Sequence, residues 1–457
     1  MAAQPPPTAK ILTDHQVEAA DRWSLVVAAG LLSFVAMLDM NVVNLALTDI
    51  SAGLHVSPGV AQWAALGYQL PLVALLLPAG RWLDQVGTRA ALLLAVSCFA
   101  ACSVLASLAP SAGWLIAARL SQGTFGAVLF VLMPVLAATS VRPESRGRAM
   151  SVPATLGPLG AVTGPVIGGL LLDHFGWRAV FLVKLPVCLA AVLIVHRHAP
   201  RRGRLRPPDR SSLGDAALIG TAVAAVLLAL TLAPEAPLWL LLALPAAPLV
   251  LFWLRRPGGR PVAEVLRAAG TVGVDASVLA LAAGFAACHY LLAQHLRGPG
   301  GESATATALT MLAFPLGMVL AGRVGGRLAD RWGARPTALA GAAVTTLGLA
   351  LLVPLDADWS ASDIAWRLAL AGIGMGLNGG PTQALVMTAS PPGKLATAGS
   401  AVQLARSLGF ALGPALAGAA ALAGDRATTG TRAGIALASV VAATAVLLLA
   451  LHRRPRT

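Results

Sequence analysis

The stretch GRWLDQVGTR, residues 80–89, returns almost unchanged as GRLADRWGAR, residues 326–335. Glycine, arginine, aspartate, glycine and arginine occupy the same places in both copies. A second pair, GAVTGPVIGG at 160–169 and GFALGPALAG at 409–418, is separated by nearly the same length of chain. The two copies of each motif are separated by nearly the same number of residues. This indicates that the protein is built from two repeats of one structure.

The whole chain is strongly apolar. Of its 457 residues, 57% are hydrophobic and 11% are charged, whereas soluble proteins carry about 25% charged residues. This shortfall predicts an all-α, multi-pass membrane protein. The opening MAAQPPPTAK lacks the charged-then-apolar pattern of a cleaved signal peptide, so we expect Trp23 to begin the first span rather than a leader.

Long apolar segments run through both repeats. A helix needs about 20 apolar residues to cross the bilayer, and we predict fourteen spans, at 24–46, 60–80, 90–109, 113–138, 149–172, 177–196, 213–232, 237–254, 271–294, 305–324, 336–354, 364–388, 397–422 and 433–452. Two additional spans separate the two six-span repeats. Because this number is even, the repeats keep the same orientation in the membrane, an arrangement typical of transporters. The predicted parts are an N-terminal tail (1–22), a six-helix bundle (23–196), a basic loop with two extra helices and a linker (197–270), a second six-helix bundle (271–452) and a C-terminal tail (453–457).

The positive charges fall mostly on one side of this plan. Most of the 33 lysines and arginines lie in loops on the side of both termini, which predicts that both termini are cytoplasmic. The net charge of +14 and the run RRGRLRPPDR (201–210) are therefore orientation signals, and we expect no nucleic-acid partner. The preference for arginine over lysine and the abundance of alanine are typical of a GC-rich bacterium, so we expect a bacterial inner-membrane protein.

Five motifs in order resemble the major facilitator superfamily, in its fourteen-helix drug:proton antiporter branch. They are LDMNVVNLAL (38–47), GRWLDQVGTR (80–89), RLSQGTFGA (119–127), GPLGAVTGPVIGG (157–169) and GWRAVFLVKLP (176–186). The resemblance implies two six-helix bundles with two extra central helices between them. It also implies alternating-access export of small hydrophobic drugs or antibiotics in exchange for protons.

Asp39 is the one acid clearly in mid-span. A charge at the bilayer centre costs at least ~2.5 kcal/mol, so such an acid is a functional hypothesis by default. The resemblance implies that Asp39 takes a proton outside and releases it inside, and that Arg119 is its partner. The alternatives are a structural hydrogen-bond anchor at Asp39 and a snorkelling arginine at Arg119. Arg367 holds the equivalent place in the second repeat but lacks the residues that follow Arg119.

Lys184 stands where the family usually has asparagine. A lysine inside a span must face a cavity or a partner, so it could pair with Asp39 or bind an anionic substrate. With Arg406 as a second buried cation, the cavity could suit weakly acidic or neutral compounds. We expect Asp275 to be solvated, and His289 is more often a packed histidine than a proton relay. The candidate cavity residues are Asn41, Asn44, Gln122, Lys184, His289, Asn378, Gln383 and Arg406.

The repeated loops predict a gate. Their aspartates could meet helix N-terminal amides, where negative charge is favoured, and their glycines permit a sharp reversal. Breaking and remaking such contacts would open and close the gate; the alternative is a fixed loop structure. The gating residues are Gly80, Asp84, Gly87, Arg89, Asp330 and Gly333.

A small-residue stripe marks the fifth span. Glycines at roughly helical spacing allow close helix packing, and a proline can kink the helix. The resemblance implies an exporter; the alternative is a packing seam, which the copy at 409–418 favours. The residues are Gly160, Gly164, Pro165, Gly168 and Gly169.

Other functions find little support in the residues. The eight histidines are scattered, the four cysteines lie inside apolar runs, and no metal- or nucleotide-binding motif occurs. We therefore expect no enzyme and no cofactor, with the proton gradient as the energy source. The expected partners are a small-molecule substrate, protons and the bilayer, and we expect a monomer. A narrow-specificity metabolite exporter, an importer and a non-transporting sensor are the alternatives.

Overall fold

The computed structural model describes residues 21–200, 204–208, 210–232, 236–267, 271–297, 304–356, 359–421 and 427–451. Most of the predicted tails and the start of the basic run lie outside these residues. The first repeat comprises α1 (Trp23–Leu45), α2 (Leu47–Leu54), α3 (Pro58–Ala61), α4 (Trp63–Ala74), α5 (Leu76–Leu83), α6 (Thr88–Ser107), α7 (Ala112–Thr139), α8 (Arg146–Phe175), α9 (Ala179–Leu182) and α10 (Leu185–His198).

The remaining helices form the insertion and the second repeat. The insertion comprises α11 (Arg210–Leu232), a 3₁₀ segment (Pro237–Ala243), α12 (Ala246–Arg255) and α13 (Arg260–Arg267). The second repeat comprises α14 (Thr271–Arg297), α15 (Ala304–Met311), α16 (Ala313–Trp332), α17 (Ala334–Ala350), α18 (Ala361–Ala389), α19 (Leu395–Ala421) and α20 (Ala427–Leu451).

Ten helical stretches among the described residues are long and apolar enough to cross a membrane. An eleventh arises if α3–α5 counts as one span bent by 48°. The bend lies one turn beyond Pro71, which has no N–H to donate and so interrupts the helical hydrogen bonds. A count of fourteen is not confirmed, because the predicted spans in α17, α18 and α19 are not among the eleven. The 17 residues of α17 are short for a span.

Helices α18 and α19 are less apolar than an ordinary span because they carry polar side chains that face the protein interior. Asn378 and Gln383 on α18 are buried, and Gln403 and Arg406 on α19 line an internal cavity. These side chains face protein rather than lipid, so the two helices need less hydrophobic surface.

Both ends of the described chain lie at one end of the bundle. The Arg22 N–H donates to the Ser140 carbonyl at 2.8 Å, which joins the start of α1 to the loop before α8. Arg335, in the repeated basic loop, donates to the Ala450 carbonyl at 2.7 Å. We call this end, formed by residues 84–87, 140–145, 331–335 and 390–394, the basic face.

The two repeats meet near the basic face through equivalent residues. A Cβ on Gly80 would lie 2.4 Å from the Ser400 hydroxyl oxygen, and a Cβ on Gly326 would lie 2.7 Å from the Ser151 hydroxyl oxygen. The first glycine of each repeated motif thus lets α5 approach α19 and α16 approach α8.

One of these two seams carries an additional helix. Helix α11 packs against α4, α5 and α19. Its Asp215 accepts a hydrogen bond from Arg81 at 3.1 Å, and its Leu227 reaches the cavity between the repeats. Helix α12 packs on α11, away from the repeats.

The glycine stripe of α8 packs along α1. A Cβ on Gly160 would lie 2.2 Å from the Phe34 carbonyl oxygen, and one on Gly164 would lie 2.9 Å from the Asn41 Cβ. Gly168 faces Val42 at 3.2 Å, whereas nothing lies within 4 Å of a Cβ on Gly169. The stripe therefore sets the distance between α1 and α8. The side chain of Pro165 lies outside what the structure describes.

This packing gives a matched pair of substitutions. Gly160→Val should lower the melting temperature of the detergent-solubilised protein, because overpacking of this kind costs about 1–3 kcal/mol. Gly169→Val, two turns away, should leave it nearly unchanged. Equal melting temperatures for both variants would contradict the proposed contact between α1 and α8.

Candidate functional site

Three buried side chains form a charge cluster, comprising Asp39, Arg119 and Lys184. Arg119 Nη1 donates to Asp39 Oδ2 at 2.7 Å, and Lys184 Nζ donates to Asp39 Oδ1. The three side chains are at most 1% exposed. One carboxylate therefore lies between two cations, and the fully ionised cluster carries one net positive charge.

A second layer of polar groups holds the arginine. Arg119 Nε donates to the Ala64 carbonyl at 2.7 Å, and its Nη1 also donates to Gln122 Oε1 at 2.7 Å. The Gln122 amide nitrogen donates in turn to the Ser103 hydroxyl at 2.9 Å. Helices α1, α4, α6 and α7 thus all contribute to the placement of one guanidinium group.

Aromatic rings separate the charge cluster from water. The Arg119 guanidinium carbon lies 4.5 Å from the centre of the Tyr68 ring, and Lys184 Nζ lies 5.4 Å from the Phe99 ring and 5.6 Å from the Phe181 ring. Ring faces attract cations. In such a dry site, charges interact far more strongly than in water, so any change of protonation has a large effect on packing.

Lys184 lies where two helices meet end to end. It is the N-cap residue of α10, just after the short helix α9, and Pro186 follows within the first turn. Proline is tolerated in a first turn, where its missing N–H would have no partner in any case. This break in the sixth predicted span lets the lysine reach α1.

A cavity of about 400 Å³ lies between the two repeats and is separate from the charge cluster. Met37 and Met40 of α1 line it, whereas Asp39 between them does not. Further walls come from α4, α7, α8, α18 and α19, with Leu227 of α11. The polar lining residues are Ser33, Gln69, Gln383, Gln403, Arg406 and Ser407.

The predicted site residues separate into three groups. Gln383 and Arg406 line the cavity, and Gln122 and Lys184 belong to the charge cluster or contact it. The other four lie elsewhere, and their roles stay predictions. Asn41 donates to the Met37 carbonyl, Asn44 is exposed, Asn378 donates to the Ala338 carbonyl, and His289 packs on Phe285.

Two further residues also depart from the simple plan. Arg367 stacks on Trp359 and Trp366, with its guanidinium carbon 3.9 Å and 4.3 Å from the ring centres, and takes no part in the charge cluster. The expectation that Asp275 is solvated is wrong. Its side chain is buried, and neither carboxyl oxygen has a hydrogen-bond partner among the described residues.

The two repeated aspartates cap helices of the opposite repeat. Asp84 accepts hydrogen bonds from the N–H groups of Ala396 and Thr397 at 2.8 and 3.0 Å, in the first turn of α19. Asp330 accepts from the N–H groups of Gly147 and Arg148 at 2.8 and 3.3 Å, in the first turn of α8. Carboxylates at helix N-termini satisfy unpaired amides and favour the helix dipole. These two reciprocal caps join the two repeats at the basic face.

The other gating residues support the loops unequally. Gly333 has φ 96°, which favours glycine, whereas Gly87 has φ −68°, which any residue adopts. The reversal at residue 87 therefore does not require glycine, contrary to expectation. Arg89 donates to the His196 carbonyl at 2.8 Å. Burial raises the pKa of the Asp84 carboxyl, and hydrogen bonds from Thr397 and Ala396 oppose that rise.

Sequence reasoning missed Ser103 and Tyr68. Both lie within apolar helices and meet Arg119 or Gln122 only after α4, α6 and α7 have packed, so no local pattern marks them. The Tyr68 hydroxyl, beside Arg119, has no hydrogen-bond partner among the described residues. By contrast, a lysine within an apolar run was a visible signal for Lys184.

Comparisons with known proteins agree with this architecture. The family description "Major Facilitator Superfamily" matches residues 29–296 and 276–457. "Multidrug resistance protein Stp" of Mycobacterium tuberculosis is 30% identical over 407 residues, covering 86% of this chain and 74% of the relative. "Methyl viologen resistance protein SmvA" of Salmonella typhimurium is 29% identical over 415 residues, covering 87% and 82%. The solved proton:xylose symporter XylE superposes with a TM-score of 0.68 at 13% identity, covering 94% of this chain and 96% of that one.

The reciprocal caps give a distance prediction. Loss of a capping side chain costs about 0.5–2 kcal/mol, so Asp84→Ala or Asp330→Ala should destabilise the closed basic face. Spin labels at the exposed residues Glu144 and Arg331, one on each repeat, should report a larger population of long distances. Asp173→Ala, an exposed acid at the far end of α8, should leave the distribution as in the wild type. Unchanged distances in both cap variants would exclude a latch.

Proposed function

The chain belongs to the major facilitator superfamily, and we propose that it exports small hydrophobic compounds, drugs or antibiotics among them, in exchange for protons. The observation that carries this proposal is the charge cluster. It is buried inside the first repeat, out of contact with the cavity, so its protonation state can affect transport only through helix packing.

Helix α1 is the link between the charge cluster and the cavity. Asp39 belongs to the charge cluster, and its neighbours Met37 and Met40 line the cavity. A change in cluster charge would alter how α1 packs against α7 and α10, and therefore the shape of the cavity wall. Coupling requires only that proton and substrate favour different conformations.

The position of the cavity supports alternating access. Both repeats line it, and the reciprocal caps at Asp84 and Asp330 close the basic face. Release of both caps would let the repeats rock apart there. We propose that the basic face is cytoplasmic, so that this opening admits substrate from the cell interior.

The topology follows from the same plan. We propose that all fourteen predicted segments span the inner membrane of a bacterium, with α17, α18 and α19 shielded by their neighbours. Both termini would then be cytoplasmic, and a single chain would suffice, since the cavity and the charge cluster are complete within it. No cofactor is proposed. The resistance proteins named above support drugs as the substrate class.

The test is substrate-evoked proton flux in proteoliposomes. Asp39→Asn removes the carboxylate that both cations share, so flux should fall at least tenfold compared with the wild type. Asp49→Asn, an exposed acid shortly after α1, is the matched control and should transport normally.

Other results would change the conclusion. Equal proton flux in the wild type and in Asp39→Asn would show that the Asp39 carboxylate is not needed for coupling. Substrate movement without proton flux in the wild type would favour a uniporter, and accumulation in the direction of the proton gradient would indicate an importer.

A further inference from the structure

The cavity contains one charged side chain among its described lining residues, Arg406. Its guanidinium makes no ion pair and no hydrogen bond with any other described residue. Arg119 and Lys184, by contrast, share a carboxylate. Arg406 is half-buried. A cation partly removed from water without a partner carries a desolvation cost, which a negatively charged ligand would offset.

A second group in the cavity lacks a partner and is also a donor. Gln383 is 7% exposed, and its amide nitrogen has no hydrogen-bond acceptor among the described residues. A buried donor left unpaired carries a desolvation penalty. Arg406 and Gln383 line the same cavity from two helices in contact, α19 and α18, so both can donate hydrogen bonds to a ligand bound there.

The rest of the lining is apolar and adaptable. It includes Met37, Met40 and Met133 together with Phe130 and Phe410. Methionine side chains adjust to irregular shapes and make favourable contacts with aromatic rings. The volume of about 400 Å³ is within the range of pockets that hold drug-sized ligands. The cavity thus matches a flat aromatic body with one anionic end.

We propose that the cavity binds amphipathic aromatic acids, whose carboxylate or phenolate is held by Arg406 and Gln383. This inference rests on the proposed export function and names its substrate class. It excludes organic cations as the preferred substrates, since no acidic side chain lines the described cavity.

The test is binding of a fluorescent acid and its neutral ester to the full chain in nanodiscs. Wild type should bind 1-pyrenebutyrate at least tenfold more tightly than its methyl ester. Arg406→Gln should abolish that preference while changing ester affinity less than threefold, and Arg406→Lys should retain part of the preference. If Arg406→Gln does not fold, the proposal is tested by the ratio of acid to ester affinity in the wild type and in Arg406→Lys.

Contrary results are equally clear. Equal affinity for acid and ester in the wild type, no binding of either, or tighter binding of methyl viologen would overturn the proposal. An unchanged acid preference in Arg406→Gln would also overturn it. Because binding requires no proton movement, an acid preference without proton flux would retain the substrate class and reject the antiport.

A second inference comes from the charges of the cluster and is independent of the cavity. Protonation of Asp39 would leave Arg119 and Lys184 as two buried cations with no counter-charge. Loss of a proton from Lys184 would leave Asp39 and Arg119 as a neutral pair. A guanidinium does not release its proton in proteins. The lysine is therefore the group whose protonation can change at the smallest electrostatic cost.

Asp39 is the one carboxylate that contacts Lys184 among the described residues. The titratable groups that face it or its partners are Asp39 on α1, Arg119 on α7, Tyr68 on α4 and Cys188 one turn along α10. We propose that Lys184, rather than Asp39, carries the exchanged proton. When the charge cluster opens to water, the ammonium N–H bond breaks, the electron pair stays on Nζ and the proton passes to a water molecule.

Substitution of Lys184 by arginine tests whether Lys184 or Asp39 carries the exchanged proton. Lys184→Arg keeps the positive charge but cannot release a proton, so substrate-evoked proton flux should fall at least tenfold. Lys184→His restores a titratable base, and flux should partly return with its pH profile moved to lower pH, since imidazole is the weaker base. Cys188→Ser is the neighbouring control. Melting temperatures of all variants monitor folding.

If Lys184→Arg has the same proton flux as the wild type, Lys184 does not carry the exchanged proton. Asp39 would then be the candidate. Should Lys184→Arg not fold, Lys184→His decides. An unshifted pH profile or a complete loss of flux in that folded variant would likewise overturn the assignment of the proton to Lys184.

Discussion

The fold of the first repeat depends on one ionic interaction, the contact of the Asp39 carboxylate with Arg119 and Lys184. Removal of one partner from a buried ion pair typically costs 3–5 kcal/mol, because the other charge is left alone. Here α1, α7 and the α9–α10 junction each contribute one charge. The interaction therefore links these helices, and a change in the charge of the cluster acts on all of them.

The charge cluster and the cavity divide the work of transport between two environments. The charge cluster is dry, aromatic and closed, while the cavity is larger, rich in methionine and lined by both repeats. In the proposed mechanism, the substrate therefore does not need to contact the group that carries the proton. Communication passes through the packing of α1, whose distance from α8 is fixed by Gly160 and Gly164. Varied substrates can then share one coupling device.

Much of this organisation was predictable from the sequence, because two motifs occur twice and the key charged residues stand out within apolar segments. The motif pairs predicted two repeats, and Asp39, Arg119 and Lys184 stood out as charges within apolar runs. The cavity lining was not predictable. Apolar residues occur on every side of helix α1, so nothing local shows that Met37 and Met40 face the cavity while Asn41 lies against α8. The count of fourteen spans stays a prediction, since α18 and α19 have polar residues that only tertiary packing hides from lipid.

The position of α11 makes the two sides of the molecule unequal. The two repeats meet along two equivalent seams, between α5 and α19 and between α8 and α16, and both seams are closely packed. Helix α11 packs against the first, with Leu227 at the cavity wall and Asp215 bound to Arg81. Any movement of the repeats at the α5–α19 seam must therefore carry or displace α11, whereas movement at the α8–α16 seam involves the repeats alone.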